Sequence, residues 1–389
     1  MKKVLFVIHN LGYGGAERSL VNLLQELPRD VYEIDLLLFQ KRGDFLQQLP
    51  DGIRVLDTPE ALNGLYAPVR KAGKYCVTKV VGTACSRIAR KTKKSRSAFR
   101  WRHFYRNRIE MLPTHYDVAI AYVGSEILYY VQDRVDADRK LVWIHNDYCN
   151  AGYSKADDAP YFAQVDGIVS VSEECVEVLR REFPEHIGKI HYIENISSSA
   201  IVRKQADAFV PKEYEGSECN ILSVGRLWPQ KGFDMAIQAA AILKNLGLRF
   251  RWFVLGEGSL RESLQKQIDA EGLTEHFILA GSRNNPYPYM KHCSLLVQPS
   301  RYEGKSVVLD EAKILCVPIV ATAYPTVADQ ILSGKEGLIT EMMPEGIAAC
   351  ILELIQNPEK RELLREYLRS REYGNQAEVE KYRKLLDEE

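Results

Sequence analysis

The 389-residue sequence predicts an α/β fold of two doubly wound parallel-sheet domains. Short, continuous Val/Ile/Leu runs alternate with helical patterns, the signature of parallel strands covered on both faces. That alternation stops at a polar stretch, 204–216, and then begins again. The chain is also long enough for two ordinary domains.

In the first round, residues 4–8 read as a buried strand. The Gly-rich turn Gly12-Tyr13-Gly14-Gly15 follows, then a helix carrying Ala16, Leu20, Leu23, Leu24 and Leu27. Further strands are predicted at 34–39, 117–122, 141–145, 167–171 and 189–193, with helices between most of them, such as 174–182. The second round has strands at 220–224, 250–255, 277–280, 294–298, 318–321 and 337–340. Helices fall at 233–246, which Gly247 is placed to end, and at 259–270. This divides the chain into an N-terminal domain, 1–205, a C-terminal domain, 206–370, and a tail, 371–389. The tail's helix, roughly 376–386, has no strand after it and is free to pack back on the N-terminal domain. Two such domains face each other across a central cleft, and open α/β sheets bind ligands at the carboxyl ends of their strands.

Composition narrows the class. Apolar residues make up 46% and charged residues 27%, which is globular. Cys76, Cys85, Cys149, Cys175, Cys219, Cys293, Cys316 and Cys350 show no C-x-x-C spacing. Reduced, mostly buried thiols are expected, rather than a zinc or dithiol site. The run 4–8 is too short for a signal peptide, and no apolar stretch approaches a membrane span. The expectation is a cytoplasmic protein, soluble or peripheral at the inner face of the cell membrane.

Lys plus Arg and Asp plus Glu number 52 each, but they are unevenly spread. Residues 61–109 hold fourteen Lys or Arg and no Asp or Glu. Val77, Val80, Val81, Ala84 and Ile88 share one helical face, and Phe99, Trp101, Phe104 and Tyr105 interleave with Arg100, Arg102 and Arg106. One reading is a basic amphipathic segment lying on an anionic membrane surface. The other is a solvated helix covering the first sheet. Nucleic-acid binding ranks below both, because no recognition module accompanies the patch.

Three motifs mislead. Gly304-Lys305-Ser306 resembles the end of a phosphate loop, but Pro299 stands where that loop needs its first glycine. Glu17 stands where a dinucleotide fingerprint needs its third glycine, which disfavours NAD. Asp136-Ala137-Asp138 has a metal-binding D-x-D spacing, but its charged neighbours Arg134 and Arg139 read as a solvated connector.

Stronger signals lie in the second domain. Gly225-Arg226-Leu227 ends a strand, and Pro229-Gln230-Lys231-Gly232 opens the next helix. Two cations at a strand's carboxyl end beside a helix start suit a diphosphate. After the strand 294–298 comes Ser300-Arg301-Tyr302-Glu303-Gly304-Lys305-Ser306, leading into a helix that carries Glu311. The helix start at Ser306 and Val307 offers free N–H groups to a phosphate. Glu303 and Glu311 can accept from sugar and ribose hydroxyls, and Gly304 permits close approach. In the first domain, His145 with Asn146 and Asp147 forms a polar cluster at a strand's carboxyl end.

These residues resemble the retaining glycosyltransferases of the GT-B fold, family 4 (glycosyl transferases group 1). The resemblance rests on Gly14-Gly15-Ala16-Glu17, His145, Gly225-Arg226, Lys231-Gly232, the Glu303–Glu311 pair and Pro318-Ile319-Val320-Ala321, and it spans nearly the whole chain. It implies a nucleoside-diphosphate sugar, UDP-linked, on the second domain, and a glycan or lipid-linked acceptor on the first. Arg226 and Lys231 would hold the diphosphate, Glu303 the transferred hexose or N-acetylhexosamine, and Glu311 the ribose. Gly15 would approach the diphosphate and His145 the sugar. Residues 281–286, with Arg283 and Asn284, would wall the base, and Gly14, Gly15, Asn146 and Asp147 are candidates for the acceptor. Transfer would retain the anomeric configuration, with no metal and no cofactor. Lys305 departs from the family, which commonly has an aromatic residue there, and this bears on the sugar's identity. Two alternatives remain: another enzyme on this scaffold, such as a nucleotide-sugar epimerase or a phosphorylase, or a non-catalytic nucleotide-sugar binder.

Overall fold

A computed structural model describes every residue except Tyr13, Ser217, Glu218 and Glu389, and only the backbone of Asp44. The chain divides into two compact units, the first taking in Met1–Gly12, Ala16–Asn195 and the end of the chain from Ala377, the second Ile196–Gln376 with Gly14 and Gly15.

The first unit is built on β1 (Lys2–Ile8), β2 (Tyr32–Leu38), β3 (Arg54–Val55), β4 (His115–Ala121), β5 (Asp136–Ile144), β6 (Gly167–Ser170) and β7 (Ile190–Tyr192). They form one seven-stranded sheet in the order β3-β2-β1-β4-β5-β6-β7, and every pairing is parallel. The second unit has β8 (Asn220–Val224), β9 (Arg251–Leu255), β10 (Phe277–Gly281), β11 (Leu295–Gln298), β12 (Ile319–Thr322) and β13 (Gly337–Thr340). These form a six-stranded sheet, β10-β9-β8-β11-β12-β13. Successive side chains in its strands feed opposite cores, with Ile221 in one cluster and Leu222 in the other. That two-sided burial is why these strands read as unbroken apolar runs. In each sheet the strand order reverses once, between β1 and β4 and between β8 and β11, and doubly wound folds bind ligands at such points.

Several expectations need correction. Asp136-Ala137-Asp138 is no loop but the start of β5, with Asp136 and Ala137 in register with His115 and Tyr116 of β4. The exposed His115 ring lies 3.0 Å from Asp136 and 3.4 Å from Asp138, so these carboxylates are tolerated at a wet strand end. The polar stretch 204–216 is not a bare linker. Helix Ser199–Ala206 runs into it and buries Val202 and Ala206 in the second unit's core, while Arg203 and Lys204 point outward. The change of unit therefore falls at Asn195/Ile196 rather than after 205. The two-residue strand β3 was too short to be read from periodicity. Among the cysteines, all free, only Cys175, Cys219 and Cys293 are buried, and Cys149 is exposed.

The last helix, Val379–Asp387, lies on the first unit. Tyr382 stacks on Trp143, centroids 5.6 Å apart at 8°, and its hydroxyl donates to the Glu194 carbonyl at 2.9 Å. Lys2 Nζ donates to the Leu386 carbonyl at 2.8 Å. No helix among the described residues is long and apolar enough to cross a membrane.

Candidate functional site

The chemistry of the second unit gathers where its strand order reverses. The segment after β8 carries Gly225, Arg226 and Lys231, and the segment after β11 carries Ser300 to Ser306. Gly232 lets them meet. It is left-handed at φ 65°, and a Cβ there would lie 1.9 Å from the Pro299 carbonyl oxygen. The Arg301 amide donates to the Gln230 carbonyl at 2.7 Å. The Arg301 guanidinium forks onto both oxygens of Asp234, at 2.8 and 2.6 Å, and holds that carboxyl below its usual range.

Inside this frame Lys231 Nζ donates to Glu303 Oε1 at 2.6 Å. The same oxygen accepts from Ser300 Oγ at 2.6 Å and Gln298 Nε2 at 3.2 Å. Gln230 Nε2 reaches Glu303 Oε2 at 3.3 Å. Glu303 is buried, and its backbone carbonyl accepts from Thr326 Oγ1 at 3.2 Å. One carboxylate oxygen is thus crowded with donors and the other lightly used. Gly225 clears the path of the lysine, since a Cβ there would meet Lys231 Cδ and Cε at 3.2 Å.

Helix Val307–Ile314 starts beside this carboxylate with Ser306 at its N-cap, but no side chain caps it. The Ser306 hydroxyl turns away and donates to Gln298 Oε1 at 2.9 Å. Gln330 fixes the Ser306 backbone from both sides, accepting from its amide at 2.7 Å and donating to its carbonyl at 2.9 Å. A helix start left without its usual Ser cap keeps first-turn N–H groups available to an anion. Gly304 and Val307 are buried here, and Lys305 is half-buried.

The other candidates stand at varying distance. Glu311 is buried, not on the surface, and accepts from Tyr287 Oη at 2.9 Å. Arg226 is exposed, its guanidinium 5.2 Å from the Trp228 ring. Arg283 and Asn284 follow β10, the sheet's edge strand. Arg283 donates to Tyr289 Oη at 3.1 Å and to Glu213 at 3.4 Å, and Asn284 is exposed. Lys231 and Glu303 are therefore in direct contact, and Ser306 joins them through Gln298. Sequence reading gave Gln230 and Ser300 no role of their own within their motifs and missed Gln298 and Gln330. Gln298 carried a usable signal, since a polar residue ending an all-apolar buried strand must find partners.

Gly15 opens helix Gly15–Glu26, and in the first unit His145 follows β5. His145 is buried with its ring 4.8 Å from Tyr122, and burial pushes its pKa down to about 4. It is a neutral imidazole at pH 7. Asp147 accepts from the Asn150 amide at 2.8 Å and shapes a turn, while Asn146 is half-buried. At the reversal between β1 and β4 the structure adds a cluster that the motifs did not include. His9 follows β1, 3.9 Å from Glu126, which in turn accepts from Arg100 at 3.3 Å. Ser125, just before Glu126, is held at φ 68°.

Residues 204–371 match the family model described as glycosyl transferases group 1. An uncharacterized glycosyltransferase of Methanocaldococcus jannaschii is 33% identical over 44% of this chain and 48% of its own length. The chain spans about half the length of the first curated relatives it matches, at 48%, 58% and 39%. A Campylobacter jejuni protein is 23% identical over 92% of this chain and 90% of its own. It is named as a GalNAc-alpha-(1->4)-GalNAc-alpha-(1->3)-diNAcBac-PP-undecaprenol alpha-1,4-N-acetyl-D-galactosaminyltransferase. Among solved structures, Anabaena HepE in complex with UDP and glucose superposes with a TM-score of 0.72 over 99% of both chains at 16% identity, a likeness of fold.

Proposed function

We propose that this chain, which belongs to the glycosyl transferases group 1 family and has the GT-B fold, is a retaining, metal-independent glycosyltransferase. It moves a hexose or N-acetylhexosamine from a nucleoside-diphosphate sugar, UDP-linked, to a glycan or lipid-linked acceptor. The observation that carries this reading is the Lys231–Glu303 pair at the β8/β11 reversal, beside the uncapped start of helix Val307–Ile314. A HepE structure holding UDP and glucose supports the donor class, and the name of the Campylobacter relative supports the acceptor class.

On this reading Glu303 orients the sugar. Its Oε1 is saturated by Lys231, Ser300 and Gln298, so Oε2 takes the sugar hydroxyls. Lys231 has three donors and uses one on Glu303, leaving others for the β-phosphate. Arg226 and the N–H groups at Val307 add charge and donors there, the role a divalent ion plays elsewhere. As the bond from the anomeric carbon to the phosphate oxygen breaks, the acceptor oxygen bonds to that carbon from the same face. The acceptor's proton passes to the departing phosphate oxygen. No side chain acts as nucleophile or strong base, and the rate comes from positioning and from stabilising the leaving diphosphate.

The test is a panel of UDP-, GDP- and ADP-sugars with chelator present, read by thermal shift and by slow donor hydrolysis. Stabilisation by a UDP-sugar with turnover in chelator is expected. No stabilisation by any donor sinks the transferase reading, and stabilisation without turnover identifies a non-catalytic binder. Activity lost to chelator and restored by a divalent ion sinks the metal-free mechanism.

A further inference from the structure

Helix Cys76–Ala89 in the first unit is turned inside out. Val77, Val80, Val81, Ala84 and Ile88 lie along one stripe, and on a surface helix such a stripe ordinarily faces the core. Here it faces away, with Val77 73%, Val80 48%, Val81 44% and Ile88 90% exposed. The opposite face, with Lys79, Gly82 and Ser86, is the one packed inward. A Cβ on Gly82 would lie 3.1 Å from the Phe104 ring. Lys79 Nζ donates to the Leu65 carbonyl at 2.8 Å and also to that of Ala67. Ser86 Oγ donates to the Thr83 carbonyl at 2.8 Å. Polar and small side chains thus meet the protein, while four branched apolar ones meet solvent.

The surroundings of the stripe say what covers it. Arg70, Lys71, Arg87, Arg90 and Lys91, in the helix and the segments next to it in the chain, are exposed, within a 49-residue stretch, 61–109, that has no carboxylate side chain. Of the same stretch's aromatic residues, Phe99 and Phe104 are half-buried and two are fully enclosed. Trp101 and Tyr105 are buried in the first unit's core, and Trp101 Nε1 donates to Asp133 at 2.8 Å. A second copy docked stripe to stripe would set this cationic surface against itself. An anionic bilayer matches both features at once, because it offers an acyl boundary to the valines and lipid phosphates to the cations. The stripe covers one side of a 14-residue helix, which suits a helix lying in the interface plane.

We propose that helix Cys76–Ala89 docks the first unit on an anionic lipid surface, with Val77, Val80, Val81 and Ile88 inserted and the surrounding Lys and Arg on the headgroups. This does not depend on the donor site. The test uses the full chain without nucleotide sugar and vesicles of phosphatidylcholine, alone or mixed with phosphatidylglycerol. Co-sedimentation with the mixed vesicles only, weakening as salt rises, is expected. The triple variant Val80→Ser, Val81→Ser, Ile88→Ser removes solvent-facing groups and should keep its unfolding temperature while its partition coefficient falls about tenfold or more. Arg90→Gln with Lys91→Gln should weaken binding and flatten its salt dependence. Equal binding to both vesicle types, undiminished binding by the triple variant, or no binding at all overturns the proposal. So does a dimer in sedimentation that the triple variant dissolves, since the stripe would then be covered by a second copy.

Discussion

Replacing Lys231 by Met removes one charge from a nearly closed site. Lys231 Nζ lies 2.6 Å from Glu303 Oε1, and the two side chains are only 17% and 8% exposed. Removing one partner of a buried ion pair costs about 3–5 kcal/mol, because the other charge is left uncompensated. Glu303 keeps Ser300 at 2.6 Å, Gln298 at 3.2 Å and Gln230 at 3.3 Å, and each such donor offsets part of the loss. The expected cost is therefore at or below the lower end, about 2–3 kcal/mol. Glu303→Gln alone should cost about 1 kcal/mol, since a freed lysine can swing to water. The double variant should recover part of the loss, with a coupling of about 1–2 kcal/mol. Two units make whole-chain unfolding a poor measure, so the assay is hydrogen exchange of β8 and β11 amides in urea. Losses that simply add would refute the pairing. In turnover, Lys231→Met should fall about 10²–10³-fold if the ammonium stabilises the leaving phosphate. A near-normal rate would mean that the catalytic role is misassigned.

Other perturbations probe the frame. Gly232→Ala forces a side chain into a left-handed position with a carbonyl 1.9 Å from its Cβ. It should cost about 2–4 kcal/mol, read as faster hydrogen exchange of β8 and β11 amides, and unchanged exchange there would contradict the loop geometry. His145 titrates at about 4 when folded and at about 6.5 when unfolded. Its contribution is complete above pH about 6.5 and is lost as pH falls toward 4, amounting to about 3 kcal/mol. His145→Gln should lack that part of the pH dependence of stability, and identical profiles for the two proteins would show that the ring is not held neutral. Tyr382→Ala empties the stack on Trp143 and should cost about 3–5 kcal/mol, read as faster exchange in β5. Unchanged exchange there would show that the last helix does not brace the sheet.

Local pattern and tertiary contact contributed different things. The apolar runs from β1 to β13, apart from the two-residue β3, were legible because strands buried on both faces need apolar residues at every position. Lys231, Glu303 and the helix start at Ser306 were legible because loops at strand ends carry cations and carboxylates beside glycine in short spans. Their distant partners were not, since Gln230 reaches Glu303 across the β8/β11 reversal and Gln330 reaches Ser306 from 24 residues away, contacts absent from any local window. The cluster of His9, Glu126 and Arg100 is assembled from three separate segments for the same reason. Periodicity also identified the valine face of helix Cys76–Ala89 correctly but not its direction. A repeat in sequence says which residues share a face, while packing decides whether that face meets the core or the solvent. Here Gly82 against Phe104 and Lys79 against the Leu65 carbonyl turned the apolar side outward.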